Sequence, residues 1–155
     1  MQNKICFHKK FILNKIPKRE IQRGVLVQYI GKLDKNIFKV ISNNITTVDV
    51  ILTEKQIEHI KERHPNDYEM YYTYLKMIVE DPDYIIKDTK PNTGVVLKEF
   101  NDFDTRFQLI LRLHTSTDIV GYKNSIITFL KINKKKYMQY LRNKEILWKK
   151  VDKSE

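Results

Sequence analysis

The apolar pattern predicts an α+β protein, with two helical segments followed by an antiparallel meander. Three observations carry that expectation. The β-branched run "ITTVDVIL" leads directly into "TEKQIEHIKERHP", where apolar residues recur at helical spacing. Beyond "EDPDY" the period drops from helical to two. "RFQLILRLH" then alternates Phe107, Leu109, Leu111 and Leu113 with Arg106, Gln108, Ile110, Arg112 and His114, as a half-buried strand does.

Each element has a local reason. Residues 1–45 contain short strand-like pieces, foremost "GVLVQYIGKL" with Gly24 and Gly31 near its ends. They read as a basic, partly β N-terminal extension ahead of a domain covering 46–155. "ITTVDVIL" reads as a strand. Thr53 fits an N-cap, and Gln56 three residues on completes a capping-box pattern. That helix runs to about Arg63, because Pro65 disfavours helical backbone angles at His64. A second helix starts near Asn66, with Glu69 three residues on. It places Tyr68, Tyr71, Tyr72, Leu75, Ile78 and Val79 at helical spacing and stops at Pro82. "YIIKD", "VVLKEF", "RFQLILRLH" and "NSIITFLKI" follow as strands, the first three separated by the turns "KPNTG" and "NDFD". "NKKKYMQYLRN" reads as a short helix and "EILWKK" as a last strand.

The net charge of +10 is concentrated at the two ends. Residues 1–50 hold 10 Lys/Arg against 3 Asp/Glu, residues 51–133 hold 11 against 13, and residues 134–155 hold 8 against 3. Basic flanks attract polyanions, nucleic acid first, although a solvated surface explains them equally well. Lone Cys6 excludes an intramolecular disulfide and gives no CxxC zinc signature. The apolar runs are far shorter than the roughly 18 residues needed to cross a bilayer. The basic N-terminus is too interrupted by lysines for a signal peptide. A soluble, cytoplasmic protein with no membrane partner is expected.

His59 and His64 pose the functional question. Five residues apart on a helix, they point about 140° from one another, whereas a zinc-binding helix sets its histidines about one turn apart. With no second cluster of ligating residues, neither a metal nor another cofactor is expected. Ile57, Ile60 and His64 share one face, and His59 lies on the other with Glu62 and Arg63 as helical neighbours. His59 is therefore expected to be exposed and salt-bridged. His64 suits either a C-terminal cap or proton transfer. Arg112 and His114 sit on the face of "RFQLILRLH" opposite its four apolar residues, while Lys98 interrupts "VVLKEF" and Thr128 interrupts "SIITFL". They gather on one open sheet face if the register allows, or form an ordinary solvated face if it does not.

Taken together, "VILTEKQIEHIKERHP", "YLKMIVEDPDYIIKD", "KPNTGVVLKEF", "LILRLH", "NSIITF" and "YLRNKEILWKK" resemble one family over roughly residues 47–150. It is the barnase–EndoU–colicin–RelE-like nuclease domains of phages and mobile elements. The resemblance implies N-terminal helices packed on a four-stranded antiparallel sheet. It also implies a toxin- or effector-like, metal-independent ribonuclease, with RNA and a cognate inhibitor protein as partners. The family's pattern falls on His64, Lys98, Arg112, Ser125 and Thr128, and on His59 as well. In that chemistry the RNA 2′-hydroxyl attacks the adjacent phosphorus and leaves a 2′,3′-cyclic phosphate. An imidazole suits either proton transfer, Lys98 and Arg112 suit the phosphoryl charge, and Ser125 and Thr128 donate hydrogen bonds. His114, one strand step from Arg112, is the candidate for the second proton transfer. Lys134, Lys135 and Lys136 are expected to contact nucleic acid.

Two rival readings use the same residues. One is a non-catalytic nucleic-acid-binding module of a mobile element. The other is a partner-binding domain that docks through "YEMYYTYL", whose tyrosines also suit a small core.

Overall fold

The computed structural model describes residues 18–22 and 24–152. The first part of the predicted extension, with Cys6, lies outside them. The strands are β1 (Lys18–Gln22), β2 (Val25–Lys32), β3 (Asp49–Thr53), β4 (Tyr84–Lys87), β5 (Thr93–Phe100), β6 (Thr105–Arg112), β7 (Asn124–Ile132) and β8 (Ile146–Lys149). The helices are α1 (Lys35–Phe38), α2 (Glu54–Arg63), α3 (Asp67–Tyr71), α4 (Leu75–Glu80) and α5 (Lys134–Asn143). Among the described residues the strands form one eight-stranded sheet in the order β1-β2-β3-β7-β6-β5-β4-β8. The β3–β7 pair is parallel, and the other pairs are antiparallel.

This corrects the expected architecture of N-terminal helices on a four-stranded antiparallel sheet. The central strands β7-β6-β5-β4 do run antiparallel, but the sheet continues past both of their edges. At one edge β3 joins β7 in parallel, pairing Val50 with Asn124 and Ile51 with Ser125. β2 then pairs with β3, and β1 with β2, so described residues before position 46 extend the same sheet. At the other edge β8 pairs with β4. The parallel contact needs a long crossover, supplied here by the helices and strands between β3 and β7. Sequence periodicity carries no information about such a pairing.

The capping expectation for α2 agrees with the structure. Thr53 accepts a hydrogen bond from the Gln56 backbone N–H at 3.2 Å, and the His64 N–H donates to Ile60 O at 2.8 Å. The second helix departs from its reading. It breaks into α3, a 3₁₀ turn at Tyr72–Tyr74, and α4. Asn66 has φ +74° and makes no side-chain cap. The Tyr74 ring explains the break. It stacks on Phe107 (centroids 5.7 Å apart) and packs edge-on against Phe100 (5.1 Å), so aromatic packing overrides a regular helix here.

Register assigns the two faces of the sheet. Phe107, Leu109 and Leu111 of β6 pair with Lys98, Val96 and Gly94 of β5 and with Lys131, Phe129 and Ile126 of β7. This face carries the main core, with Ile57 and Ile60 of α2 and Ile78 and Val79 of α4 fully or nearly fully buried against it. Gly94 leaves room there for Ile41, which a Cβ would overlap. The opposite face carries a smaller core, in which Tyr137 of α5 packs on Tyr84, Ile86, Val95, Leu97 and Ile132. The sheet is thus covered on both sides around β4 to β6.

Candidate active site

The family-pattern residues are divided by the sheet. Lys98 points to the helix-covered face, is only 6% exposed, and donates to Asp81 (2.9 Å) and Asp83 (3.3 Å). His64 ends α2 in that same layer, half-buried. His59 is half-buried as well, where an exposed position was expected. Arg112, Ser125 and Thr128 lie on the other face. Arg112 and Ser125 are direct register partners, and Thr128 pairs with Ile110 further along. His114 lies just past the end of β6.

Arg112 and His114 hold a loop. The Arg112 guanidinium donates to the two Asp118 carboxylate oxygens (2.8 and 3.3 Å) and to Leu113 O. Asp118 also accepts from the Thr115 backbone N–H at 2.7 Å and from its hydroxyl at 3.0 Å. The Thr115 backbone bond, with the Arg112 charge, holds the Asp118 carboxyl below the usual carboxylate range. His114 is buried, with Nδ1 on the Thr46 hydroxyl and Nε2 on Ile119 O at 2.7 Å. Both ring nitrogens are therefore engaged in the fold.

A different group of polar and charged side chains meets on the α5-covered face. A cleft of about 570 Å³ opens between α5 and the ends of β5 and β6. Glu99 and Arg106 are register partners at its floor, joined by an Arg106 Nε–Glu99 Oε2 bond of 2.6 Å. Arg106 is 8% exposed and also donates to Asp104 at 2.9 Å. Burial works against the guanidinium charge, but the bonds to Asp104 and Glu99 outweigh it and raise its pKa above the ordinary value. A guanidinium has five donors, and these two carboxylates leave part of the fork for a phosphate.

Tyr137 completes this floor from α5. Its hydroxyl is buried and has no hydrogen-bond partner among the described residues. Burial first, then the charges of Asp83 and Glu99, push its pKa well above the ordinary phenol value, so the proton stays on at neutral pH. An unpartnered buried hydroxyl costs about 1–3 kcal/mol, and Tyr137 also lines the cleft. Lys134 and Arg142, both exposed, add positive charge along the helix rim. Lys135 and Lys136 follow Lys134 in sequence and are exposed, but of the three predicted nucleic-acid contacts only Lys134 lines the cleft.

Glu99, Arg106 and Tyr137 were not singled out from the sequence, yet a signal existed. Residues 99 and 106 are symmetric about the turn "NDFD", which is how a tight hairpin pairs an acid with a base. Among the described residues no group of three His, Cys, Asp or Glu side chains is placed to hold a metal ion. No helix of the described residues is long and apolar enough to cross a membrane.

Comparison with known proteins identifies a family. Residues 25–149 match the family described as phage-Barnase-EndoU-ColicinE5/D-RelE like nuclease 2. No curated protein and no solved structure shows a match. The match spans β2 to β8, and so takes in both the helix-covered core and the α5 cleft. The chain therefore belongs to the phage-Barnase-EndoU-ColicinE5/D-RelE like nuclease 2 family.

Proposed function

We propose that the protein is a metal-independent endoribonuclease whose reaction takes place in the α5 cleft. The observation that carries this reading is the Glu99–Arg106 pair beside the unpartnered Tyr137 hydroxyl. RNA supplies the nucleophile. Glu99 accepts the 2′-hydroxyl proton as the 2′-oxygen bonds to phosphorus. Arg106 balances the charge that builds on the phosphoryl oxygens. The P–O5′ bond breaks, and Tyr137 donates to the departing 5′-oxygen. Solvent then takes the proton from Glu99 and returns one to Tyr137. The products are a 2′,3′-cyclic phosphate and a 5′-hydroxyl.

End-group analysis of cleaved RNA tests the reaction. Cyclic phosphate termini are expected, at the same rate with and without excess EDTA. Products with ordinary 3′-hydroxyls, or activity abolished by chelator, would sink the mechanism. RNA bound but never cleaved would make the cleft a phosphate-binding surface instead.

The three lysines that open α5 have a separate signature. Phosphate contacts release counterions, and each is worth about 0.7 in the slope of log affinity against log salt for single strands. Replacing Lys134, Lys135 and Lys136 with Gln is expected to lower affinity similarly for all sequences and to flatten that slope by about 2. An unchanged slope removes the start of α5 from the binding surface.

A further inference from the structure

The outer wall of the cleft is apolar where a nuclease rim need only be charged. Met138 and Leu141 of α5 and Ile146 of β8 line it, and Met138 and Ile146 are 37% and 39% exposed. Along α5 the order is Lys134, Met138, Leu141, Arg142, at i, i+4, i+7 and i+8. These positions share one helix face, and the two cations stand about 12 Å apart along its axis. A cation, two apolar side chains and a cation repeat the chemistry of a nucleotide strand, in which phosphates flank a base with an apolar face.

From this arrangement we propose that Met138, Leu141 and Ile146 form a subsite for one unpaired nucleobase, so that the substrate is single-stranded RNA. The inference deepens, and rests on, the assignment of the α5 cleft as the reaction site. In an A-form duplex the base faces are stacked and the deep major groove admits no side chains. A base enters a pocket between a helix and a sheet only after it leaves the stack, which is easiest in a single strand. Contacts between base faces and apolar or aromatic side chains tolerate any base, since every base has a π-face. Met138, Leu141 and Ile146 themselves carry no hydrogen-bonding group to read a base edge, so their contact with the base face is expected to be sequence-tolerant. The basic C-terminal segment, with 8 Lys/Arg against 3 Asp/Glu over residues 134–155, favours a polyanion over a neutral apolar ligand.

The test uses the full chain and labelled RNA in three forms. They are a single strand, the same strand annealed to its complement, and the same strand with one internal base removed but its ribose 2′-hydroxyl and phosphates kept. Cleavage of the single strand is expected to exceed that of the duplex at least about tenfold. Cleavage at the abasic nucleotide is expected to fall about tenfold relative to its neighbours in the same strand. In parallel, fluorescence anisotropy with unreactive 2′-O-methyl strands compares an intact strand with a fully abasic one. The wild-type preference for the intact strand is expected to vanish in Met138→Asp and Ile146→Asp, two substitutions at partly exposed positions. Cleavage that ignores the missing base, or a preference that survives both substitutions, overturns the subsite and leaves the reaction assignment intact. No cleavage, but a base-dependent affinity lost in both variants, upholds the subsite and overturns the reaction assignment.

Discussion

Glu99→Gln is expected to slow cleavage of single-stranded RNA by about a hundredfold or more, the usual scale of a general base. Its RNA affinity should stay close to that of the wild type. The amide has the size of the carboxylate and still accepts a bond from Arg106, but it cannot hold the 2′-hydroxyl proton. Arg106→Lys probes the other half of the pair. A lysine keeps the charge but loses the fork that reaches Glu99, Asp104 and a phosphate together. A loss of about a hundredfold is expected, comparable to removing one donor from an oxyanion site. The double variant should be little slower than the slower single one, because groups acting on one transition state are not additive. Denaturant unfolding separates chemistry from scaffolding: cleavage per folded molecule should stay about a hundredfold low in both variants, whatever their stability. Single-turnover rates that are unchanged in Glu99→Gln would remove the pair from the reaction.

The legible parts of this fold are those where one face of an element is buried. β6 was readable because its apolar residues alternate, and α2 because its cap and its apolar stripe are local. β5 was readable as a strand but not in its orientation. "VVLKEF" lies between the α2–α4 layer and α5, so Val95, Val96 and Leu97 are all buried and no alternation shows which way Lys98 points. Only the pairing of Lys98 with Phe107 fixes it, and pairing is a long-range property. The same gap hid the candidate site. Glu99 and Arg106 stand in the charge-rich stretch "KEFNDFDTR", where each looks like an ordinary turn-flanking charge until the hairpin register sets them opposite one another. Tyr137 is largely a core tyrosine, packed in the smaller cluster under α5. Its unpartnered hydroxyl is visible only in three dimensions.

Lys98 is where a catalytic and a structural role make opposite predictions. It is buried beside Asp83, which is 1% exposed and also accepts the Glu99 backbone N–H at 2.8 Å. Asp81 bridges Lys98 to Lys150, next to β8. Removing one partner of a buried pair leaves an uncompensated charge, so Lys98→Met is expected to destabilise the protein by about 3 kcal/mol or more. Adding Asp83→Asn should recover much of that loss, since the amide is neutral yet still accepts the Glu99 N–H. Denaturant unfolding measures both. The network also sets an acid dependence. Burial pushes the Asp81 carboxyl up, but hydrogen bonds from Lys150 and Lys98 outweigh it and hold its pKa below the usual value. The unfolded chain therefore takes up this proton first as pH falls. The Asp81 contribution is present above the unfolded pKa and is lost as pH drops through the folded one. In Lys98→Met one of the two lysines is gone, so the acid-induced fall in stability at this site should be shallower. Cleavage per folded molecule, assayed well below the melting temperature, decides the role. Activity close to the wild type, with the stability loss, marks Lys98 as the counterion that holds β4, β5 and β8 together beneath Glu99. A hundredfold loss of activity with unchanged unfolding would instead return Lys98 to phosphate chemistry.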